Sequence, residues 1–407
     1  MRKRKIVAAV AVALGVALTA TGCGTSGSGD DAIKIGTVHP LTGVNAGDGA
    51  QLENGAKLAV RDINAAGGIK ALGGKKLAID PGDTKGSAKT GQSEAQRLVS
   101  GGAVALIGSY QSAVCANVAV VAERNKVPYL MDICGDNSIL ENGYEYTFRM
   151  QPPNSRFGAS TADYVKAVSQ QAQRPVLKVA YLHENTAFGN GVSKAFIARA
   201  AEVGLPMGPS ISYDAASVSD LTTQIAQVKS SGANILVISG YYRDGVLAAK
   251  AVQTVKPNLD AVVGAADGAF DQPQFPTDAG RAGNGYFDVN YHINDKSKKG
   301  QDFVKAYTAE YGDAPRTGAA LAYDSVMVIA AAIEHAGSDD PEAIRNAIGK
   351  TDVTPVVLSD GPVRFSETGE NLSTLPVLTQ VLDGAPHVVF PEQFATKQIV
   401  FPAGPGR

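Results

Sequence analysis

A chain of 407 residues with a net charge of −2 and 6% aromatic residues is long enough for two domains and carries no basic stripe of the kind that binds nucleic acid. Its five histidines and three cysteines form no metal-ligand spacing, and no Ser, His and acid constellation is evident. The sequence Gly189-Asn190-Gly191 stands too far from the end of the nearest predicted strand for a dinucleotide loop. We therefore expect no enzyme activity, no metal and no cofactor.

The order of the first residues predicts an export signal. Basic residues at positions 2–5 precede an apolar run over 6–20, and small residues lead to Cys23, which is the pattern of a secretion signal over residues 1–22. The tetrapeptide Ala20-Thr21-Gly22-Cys23 resembles the bacterial lipobox, so we expect a lipid on Cys23 that anchors the exported protein to the outer face of the cell membrane. A plain signal peptide is the alternative, because Ala20 stands where the lipobox usually has leucine. Residues 23–31 have the composition of a flexible tether.

Strands and helices alternate along the first part of the mature chain. Apolar runs and helical spacing predict strands over 33–38, 75–80, 103–107 and 127–133, and helices over 50–65, 87–100 and 112–125. Residues 39–49 are predicted as a loop. Pro152 and Pro153 break the pattern, and we place a crossing to a second unit there.

The alternation restarts after the two prolines. It predicts helices over 156–171, 192–203, 219–231, 244–255, 299–311, 317–336 and 341–349, and strands over 178–182, 208–212, 234–239, 261–264, 363–365 and 376–382. The region 286–293 is predicted as a second crossing. Strands that alternate with helices of about 10 to 15 residues are typical of parallel sheets covered on both faces. The sequence therefore predicts an α/β fold built from two similar units.

The segment 103–125 carries the clearest signal for a binding site. Ser109 and Ser112 lie between a predicted strand and a predicted helix, and serine is a residue type that caps helices. The first N–H groups of a helix have no intrahelical partner and carry the positive end of its dipole, so this loop could hold a carboxylate. An ordinary helix cap without a ligand is the alternative.

Two further cysteines, Cys115 and Cys134, lie in the mature chain. Cys115 falls in the first turn of the predicted helix and Cys134 follows the next strand, so the two can lie close in space. An even pair of cysteines in an exported protein favours a disulfide, and two buried thiols are the alternative. A catalytic cysteine is disfavoured, since no His and Asn or Asp partners stand at a recognisable spacing.

Four stretches of the chain resemble a known family. They are PLTGVNAGDGAQLENGAKLAVRDINAAGGI, LGGKKLAI, QRLVSGGAVALIGSYQS and GPVRFSETGENL. In order and spacing they resemble the leucine, isoleucine and valine-binding family of ABC-transporter substrate-binding proteins, over residues 33–389. The resemblance implies a type I periplasmic-binding fold, in which two α/β lobes are joined by three crossovers, the third near 372–375. It implies an N-terminal lobe of residues 32–152 and 290–372, and a C-terminal lobe of residues 153–289 and 373–402.

The resemblance also implies an amino-acid site between the lobes. The ligand carboxylate would lie at Ser112 and at the loop of Cys134, Gly135 and Asp136. Its ammonium would meet Asp267, which follows a predicted strand in the second unit. The alternative for Asp267 is a turn aspartate that only shapes its loop.

Aromatic residues complete the site that the resemblance implies. Phe188 and Tyr241 would come from the second lobe and Tyr110 from the first, although without the resemblance their first interpretation would be core packing. Two positions depart from the family, because Asp136 replaces a threonine and Asp48 replaces a tyrosine. Both departures argue against leucine specificity.

The resemblance implies a monomeric solute-binding lipoprotein of an ABC importer. Such a protein captures an amino acid or a similar small polar solute and delivers it to a membrane permease and its ATPase. Two alternatives stay open: a sensory ligand-binding protein, which shares this fold, and a binder of an amide, urea, a polyamine or an aromatic acid.

Overall fold

The computed structural model describes residues 32–404, so the export signal, Cys23 and the tether lie outside the described residues. One sheet has five strands: β1 (Ile33–His39), β2 (Leu77–Asp83), β3 (Ala105–Gly108), β4 (Tyr129–Met131) and β5 (Thr147–Arg149). Their spatial order is β2-β1-β3-β4-β5 and all neighbours are parallel. The carboxyl ends of all five strands therefore lie at one edge of this sheet.

A second sheet has seven strands. They are β6 (Val179–Glu184), β7 (Met207–Tyr213), β8 (Ile235–Ser239), β9 (Ala261–Ala265), β10 (Phe287–Asn290), β11 (Val377–Leu382) and β12 (Ala385–Phe390). The spatial order is β12-β11-β10-β9-β8-β6-β7, and only the pairs β10–β11 and β11–β12 are antiparallel. Every residue of β6, β8 and β9 is buried, as expected for parallel strands that are covered on both faces.

Eleven α-helices lie in the described part of the chain. They are α1 (Ala46–Ala65), α2 (Ala88–Ser100), α3 (Ser112–Asn125), α4 (Asn154–Gln171), α5 (Ala187–Val203), α6 (Thr222–Ser231), α7 (Tyr242–Val255), α8 (Phe275–Asp278), α9 (Lys298–Tyr311), α10 (Thr317–Ala336) and α11 (Pro341–Ile348). Helices α1, α2, α3 and α10 pack on the first sheet, with α9 against α1 and α11 against α10. Helices α4, α5 and α6 pack on the second sheet, with α7 against α6, and α8 follows β9 in the chain. We call these two bodies the first lobe and the second lobe.

Helix α10 is the central helix of the first lobe. In the described part of the chain it alone is long and apolar enough to cross a membrane, with a mean hydropathy of 1.3, but 72% of that stretch is buried inside the protein. It packs tightly on α1, because a Cβ on Gly55 would lie 2.0 Å from the carbonyl oxygen of Ala319. Helix α10 is therefore a core helix whose first residues are fixed relative to α1.

The chain passes between the two sheets three times: after β5, after β10, and between α11 and β11. The predicted fold class is thus confirmed. Three local predictions are wrong. Residues 147–149, for which no strand was predicted, form β5. Residues 287–290, expected within a crossing, form β10, and the crossing follows directly after this strand. Residues 363–365 form no strand but only an isolated bridge between Phe365 and Asn371.

Candidate ligand-binding site

A cavity lies between the two lobes, beyond the carboxyl ends of the strands, where open α/β sheets bind ligands. Its volume is about 60 Å³. The first lobe contributes residues from α1, the loops after β3 and β4, and the start of α10, while the second lobe contributes α4, α5 and the loops after β8 and β9. The crossings add Gln151, Asn290 and Tyr291. Two lobes that meet around one small cavity can exclude water from a solute.

Ser112 lies at the point in the first lobe where the sequence predicted a carboxylate site. It is the first residue of α3, is 3% exposed and lines the cavity. Its neighbour Gln111 is the N-cap residue and makes no side-chain cap hydrogen bond. The first N–H groups of α3 and the Ser112 hydroxyl are therefore the donors that the first lobe offers at this point.

The loop after β4 is held against this helix by several interactions. Cys134 forms a disulfide with Cys115 of α3. The amide orientation of Gln151 that satisfies its neighbours has the side-chain oxygen accepting from Gly135 N at 2.7 Å and from Cys134 N at 3.1 Å. The fully buried Arg149 donates to the carbonyl oxygen of Gly135 at 3.2 Å and pairs with Glu370 at 3.2 Å. Gly135 thus lines the cavity on a rigid support.

Asp48 and Arg316 form an ion pair at the cavity wall. Asp48 lies in the first turn of α1 and not in the preceding loop, because α1 begins at Ala46. Burial raises the pKa of Asp48, and Arg316 together with the hydroxyl of Tyr110 partly offsets this shift. The Arg316 guanidinium also lies 3.7 Å from the centre of the Tyr242 ring in the second lobe, a cation–π contact.

Three aromatic rings form one wall of the cavity across the lobes. The ring of Tyr241 lies 5.4 Å from that of Tyr110 and 5.7 Å from that of Phe188, measured between centroids. Tyr110 belongs to the first lobe, while Tyr241 and Phe188 lie at the starts of α7 and α5 in the second. The structure therefore brings together the three aromatic residues named from the sequence.

Hydrogen bonds between the lobes show that the cleft is closed. The side-chain oxygen of Gln272 accepts from Thr317 N at 3.1 Å, and its nitrogen donates to the Thr317 hydroxyl at 3.1 Å. Gln274 donates to the carbonyl oxygen of Ala314 at 2.9 Å. These contacts join the segment after β9 to the start of α10.

Six of the nine residues named from the sequence line the cavity: Asp48, Tyr110, Ser112, Gly135, Phe188 and Tyr241. Cys134 does not line it, since its sulfur lies in the disulfide and only 1% of the residue is exposed. Asp136 does not line it either, because its carboxylate accepts from Ser138 N and from the Ser138 hydroxyl, at 3.1 and 2.9 Å, and so begins a short helix.

Asp267 lies behind the cavity wall. Its neighbours Ala266 and Gly268 line the cavity, while Asp267 is fully buried and its Oδ1 accepts from Ala269 N at 2.9 Å. Burial and the nearby carboxyl groups raise the pKa of Asp267 well above its usual range, and the pKa values of Asp271 and Asp288 are raised as well. Burial is the main cause in all three, and only Asp271 has a cationic partner that offsets it, His292, whose Nδ1 lies 3.9 Å from Asp271 Oδ2.

Several cavity residues carried no local signal in the sequence. Arg316, Thr317 and Gln272 line the site, as do Gln51, Asn290 and Tyr291, and none of these six was named from the sequence. The one available signal was positional, since Arg316 and Thr317 stand at the start of the long apolar helix predicted over 317–336.

Fold and cavity define a class: a two-lobed α/β binding protein with its solute site between the lobes. Residues 32–385 match a family model described as "Periplasmic binding protein". The chain belongs to this family, whose members are extracytoplasmic substrate-binding proteins of ABC-type transport and not enzymes.

Three comparisons show which known proteins the chain is similar to. It is 27% identical over 402 residues to the "Leu/Ile/Val-binding protein homolog 8" of Brucella suis biovar 1 (strain 1330), covering 96% of this chain and 98% of the relative. It is similar in fold, with a TM-score of 0.76 and 24% identity, to the branched-chain amino acid transporter substrate binding protein LivJ from Streptococcus pneumoniae str. Canada MDR_19A in complex with isoleucine, covering 88% and 99%. A solute binding protein from Rhodopseudomonas palustris BisB5 in complex with 3,4-dihydroxy benzoic acid gives a TM-score of 0.77 at 21% identity, covering 88% and 95%. The resemblance to Leu/Ile/Val-binding proteins seen in the sequence is confirmed.

Proposed function

We propose that this protein captures a small carboxylate-bearing solute, an amino acid or a similar molecule, between its lobes and delivers it to an ABC permease and its ATPase. The observation that carries the proposal is the cavity between the lobes with Ser112 and the start of α3 in its wall. The ligands named for the two structural neighbours, isoleucine and 3,4-dihydroxy benzoic acid, both carry a carboxylate. The proposal includes export and a lipid anchor on Cys23, which rest on residues 2–23.

A thermal-shift and calorimetry screen tests the proposal. The probes are amino acids, amides, urea, polyamines and aliphatic and aromatic monocarboxylates. A true ligand at 100 times its dissociation constant stabilises the protein by about 2.7 kcal/mol. The Ser112→Ala variant should bind a hit about ten times more weakly or worse, since a hydrogen bond to a charged group contributes about 1.5–3 kcal/mol.

Ser93→Ala is the matched control, because Ser93 is an exposed serine on α2 of the same lobe, remote from the cavity. A screen without a hit among all carboxylates would contradict the proposal. Equal affinities of Ser112→Ala and Ser93→Ala would remove Ser112 from the site.

A further inference from the structure

We propose that the ligand of this cleft is a monocarboxylate that carries no ammonium group, with a flat or apolar body held against aromatic rings. The inference rests on the proposed function and names the ligand class of the same site. Three observations support it: the acceptors of the cavity, its donors, and the shape of its walls.

The one carboxylate among the described residues that line the cavity is already paired with a cation. Among the described residues that line the cavity, Asp48 is the only carboxylate. Its charge is paired with the guanidinium of Arg316. The Asp48–Arg316 pair carries no net charge, so it offers an ammonium no net negative partner.

Asp267 cannot supply the missing anion in this closed arrangement. Its Oδ2 is buried without a hydrogen-bond partner, and its backbone N–H donates to Asp288 Oδ1 at 3.2 Å. On the other side, a Cβ on Gly245 of α7 would lie 2.4 Å from Asp267 Oδ1, so the carboxyl is enclosed by protein. Burial and the nearby carboxyl groups of Asp244 and Asp271 disfavour ionisation of Asp267, whereas His292 Nδ1 lies 3.9 Å from Asp271 and not beside Asp267.

The free polar groups of the cavity are donors. The Ser112 hydroxyl makes no hydrogen bond to any described residue, although the residue is 97% buried, and it lies at the positive end of α3. Arg316 Nε is buried without a partner. Donors and positive partial charges are what a carboxylate requires, because an ionised carboxylate only accepts hydrogen bonds.

The walls fit a flat or apolar body. Phe157, Phe188, Tyr110, Tyr241 and Tyr291 all line this small cavity. Aromatic rings favour offset or edge contacts with apolar and aromatic groups. A ligand whose polar group is confined to one end satisfies the donors near Ser112 and leaves its body against the rings.

The test uses matched pairs of ligands that differ only in the amino group. Calorimetry on the wild-type protein compares 3-phenylpropanoate with L-phenylalanine and 4-methylpentanoate with L-leucine, with benzoate and 4-hydroxybenzoate added. We expect the deaminated member of a binding pair to bind at least tenfold tighter. Tighter binding of the amino acid overturns this inference and leaves the proposed function intact. Absence of binding by every carboxylate and every amino acid overturns both.

Two variants test the same inference through the protein, with whichever ligand of the panel binds best. If an ammonium used either acid, Asp48→Asn or Asp267→Asn would weaken binding of the best ligand about a hundredfold. Under the inference, Asp267→Asn, which lies behind the cavity wall, binds within threefold of wild type, whereas Asp48→Asn binds up to tenfold more tightly, since Arg316 is then free to face the carboxylate. Asp267→Asn keeps the shape of the buried side chain. It therefore tests whether the ligand carries an ammonium even if Asp48→Asn fails to fold. A hundredfold loss in Asp267→Asn overturns the inference.

Discussion

Gln272 and Thr317 form two reciprocal hydrogen bonds across the cleft, each 3.1 Å long. Gln272 follows β9 in the second lobe, and Thr317 begins α10 in the first. Both residues are buried. Because these bonds join protein to protein, part of the closed arrangement is stabilised by the lobes themselves and not by the solute.

We expect Gln272→Ala to shift the protein towards the open form. Each neutral hydrogen bond contributes about 0.5–1.5 kcal/mol, so losing two lowers the closed-to-open ratio by on the order of tenfold to a hundredfold. Small-angle scattering without added ligand should show a larger radius of gyration. Gln227→Ala, an exposed glutamine on α6, is the control, and equal radii for both variants would contradict the expectation.

A buried charged histidine makes stability depend on pH. His39 lies between Asp132, at 2.8 Å from Nε2, and Glu53, at 3.2 Å from Nδ1. Burial alone would lower the pKa of His39, but the two carboxylates outweigh it and raise the pKa to about 9. A raised pKa stabilises the folded state fully below the unfolded value of about 6.5, and this contribution is lost as the pH rises through 9.

The His39→Gln variant should isolate this effect. We expect its free energy of unfolding to lie below that of wild type by on the order of 3 kcal/mol at pH 6, and this difference to shrink between pH 6.5 and 9. Urea unfolding at a series of pH values measures it. His335→Gln, an exposed histidine on α10, should show no such trend. A pH-independent gap for His39→Gln would mean that lost packing, and not charge, causes the destabilisation.

The disulfide between Cys115 and Cys134 should matter for stability. It closes a loop with a sequence separation of 19 residues, for which the chain-entropy model gives about 3 kcal/mol. The double variant Cys115→Ser, Cys134→Ser should therefore unfold at a lower temperature. A reductant should lower the unfolding temperature of wild type only. Two freely alkylated thiols in protein exported to an oxidising compartment would contradict the bond.

Membrane attachment is predicted to depend on Cys23. Cys23→Ala should move the mature protein from the membrane fraction to the soluble fraction, because a lipid on this residue is the proposed anchor. Fractionation of cells that express each form measures the change. A variant that stays with the membrane as the parent does would contradict the lipoprotein proposal.

Local sequence patterns were sufficient to predict most of the helices and strands. The limits of α10, predicted as 317–336, agree with Thr317–Ala336, since its apolar pattern is long. Strand β5 was missed because it has only three residues, which pair with β4 and, at Arg149, with Glu370 from a segment far along the chain. Helices α1 and α5 begin earlier than predicted, so Asp48 and Phe188 lie on helices where loops were expected.

Residue patterns alone predicted the candidate site only where one segment defines it, and the other correct residues came from the family resemblance. Ser112 stands out because strand, loop and helix follow each other in one stretch. The partnership of Asp48 with Arg316 joins positions 268 residues apart, and nothing near Arg316 distinguishes it from an ordinary helix start. Asp267 lies behind Ala266 and Gly268 because the turn directs its side chain away from the cavity. The Asp-Gly sequence alone does not determine that direction.

The topology of the second sheet has a consequence for biosynthesis. Strand β10 lies between β9 and β11, and β11 comes from residues 377–382, about 90 residues later in the chain than β10. Until that late hairpin of β11 and β12 is made, β10 is an open edge that can pair with other chains. A nascent or proteolysed chain that lacks residues beyond 376 should therefore aggregate, so its export and folding favour a chain that is released whole.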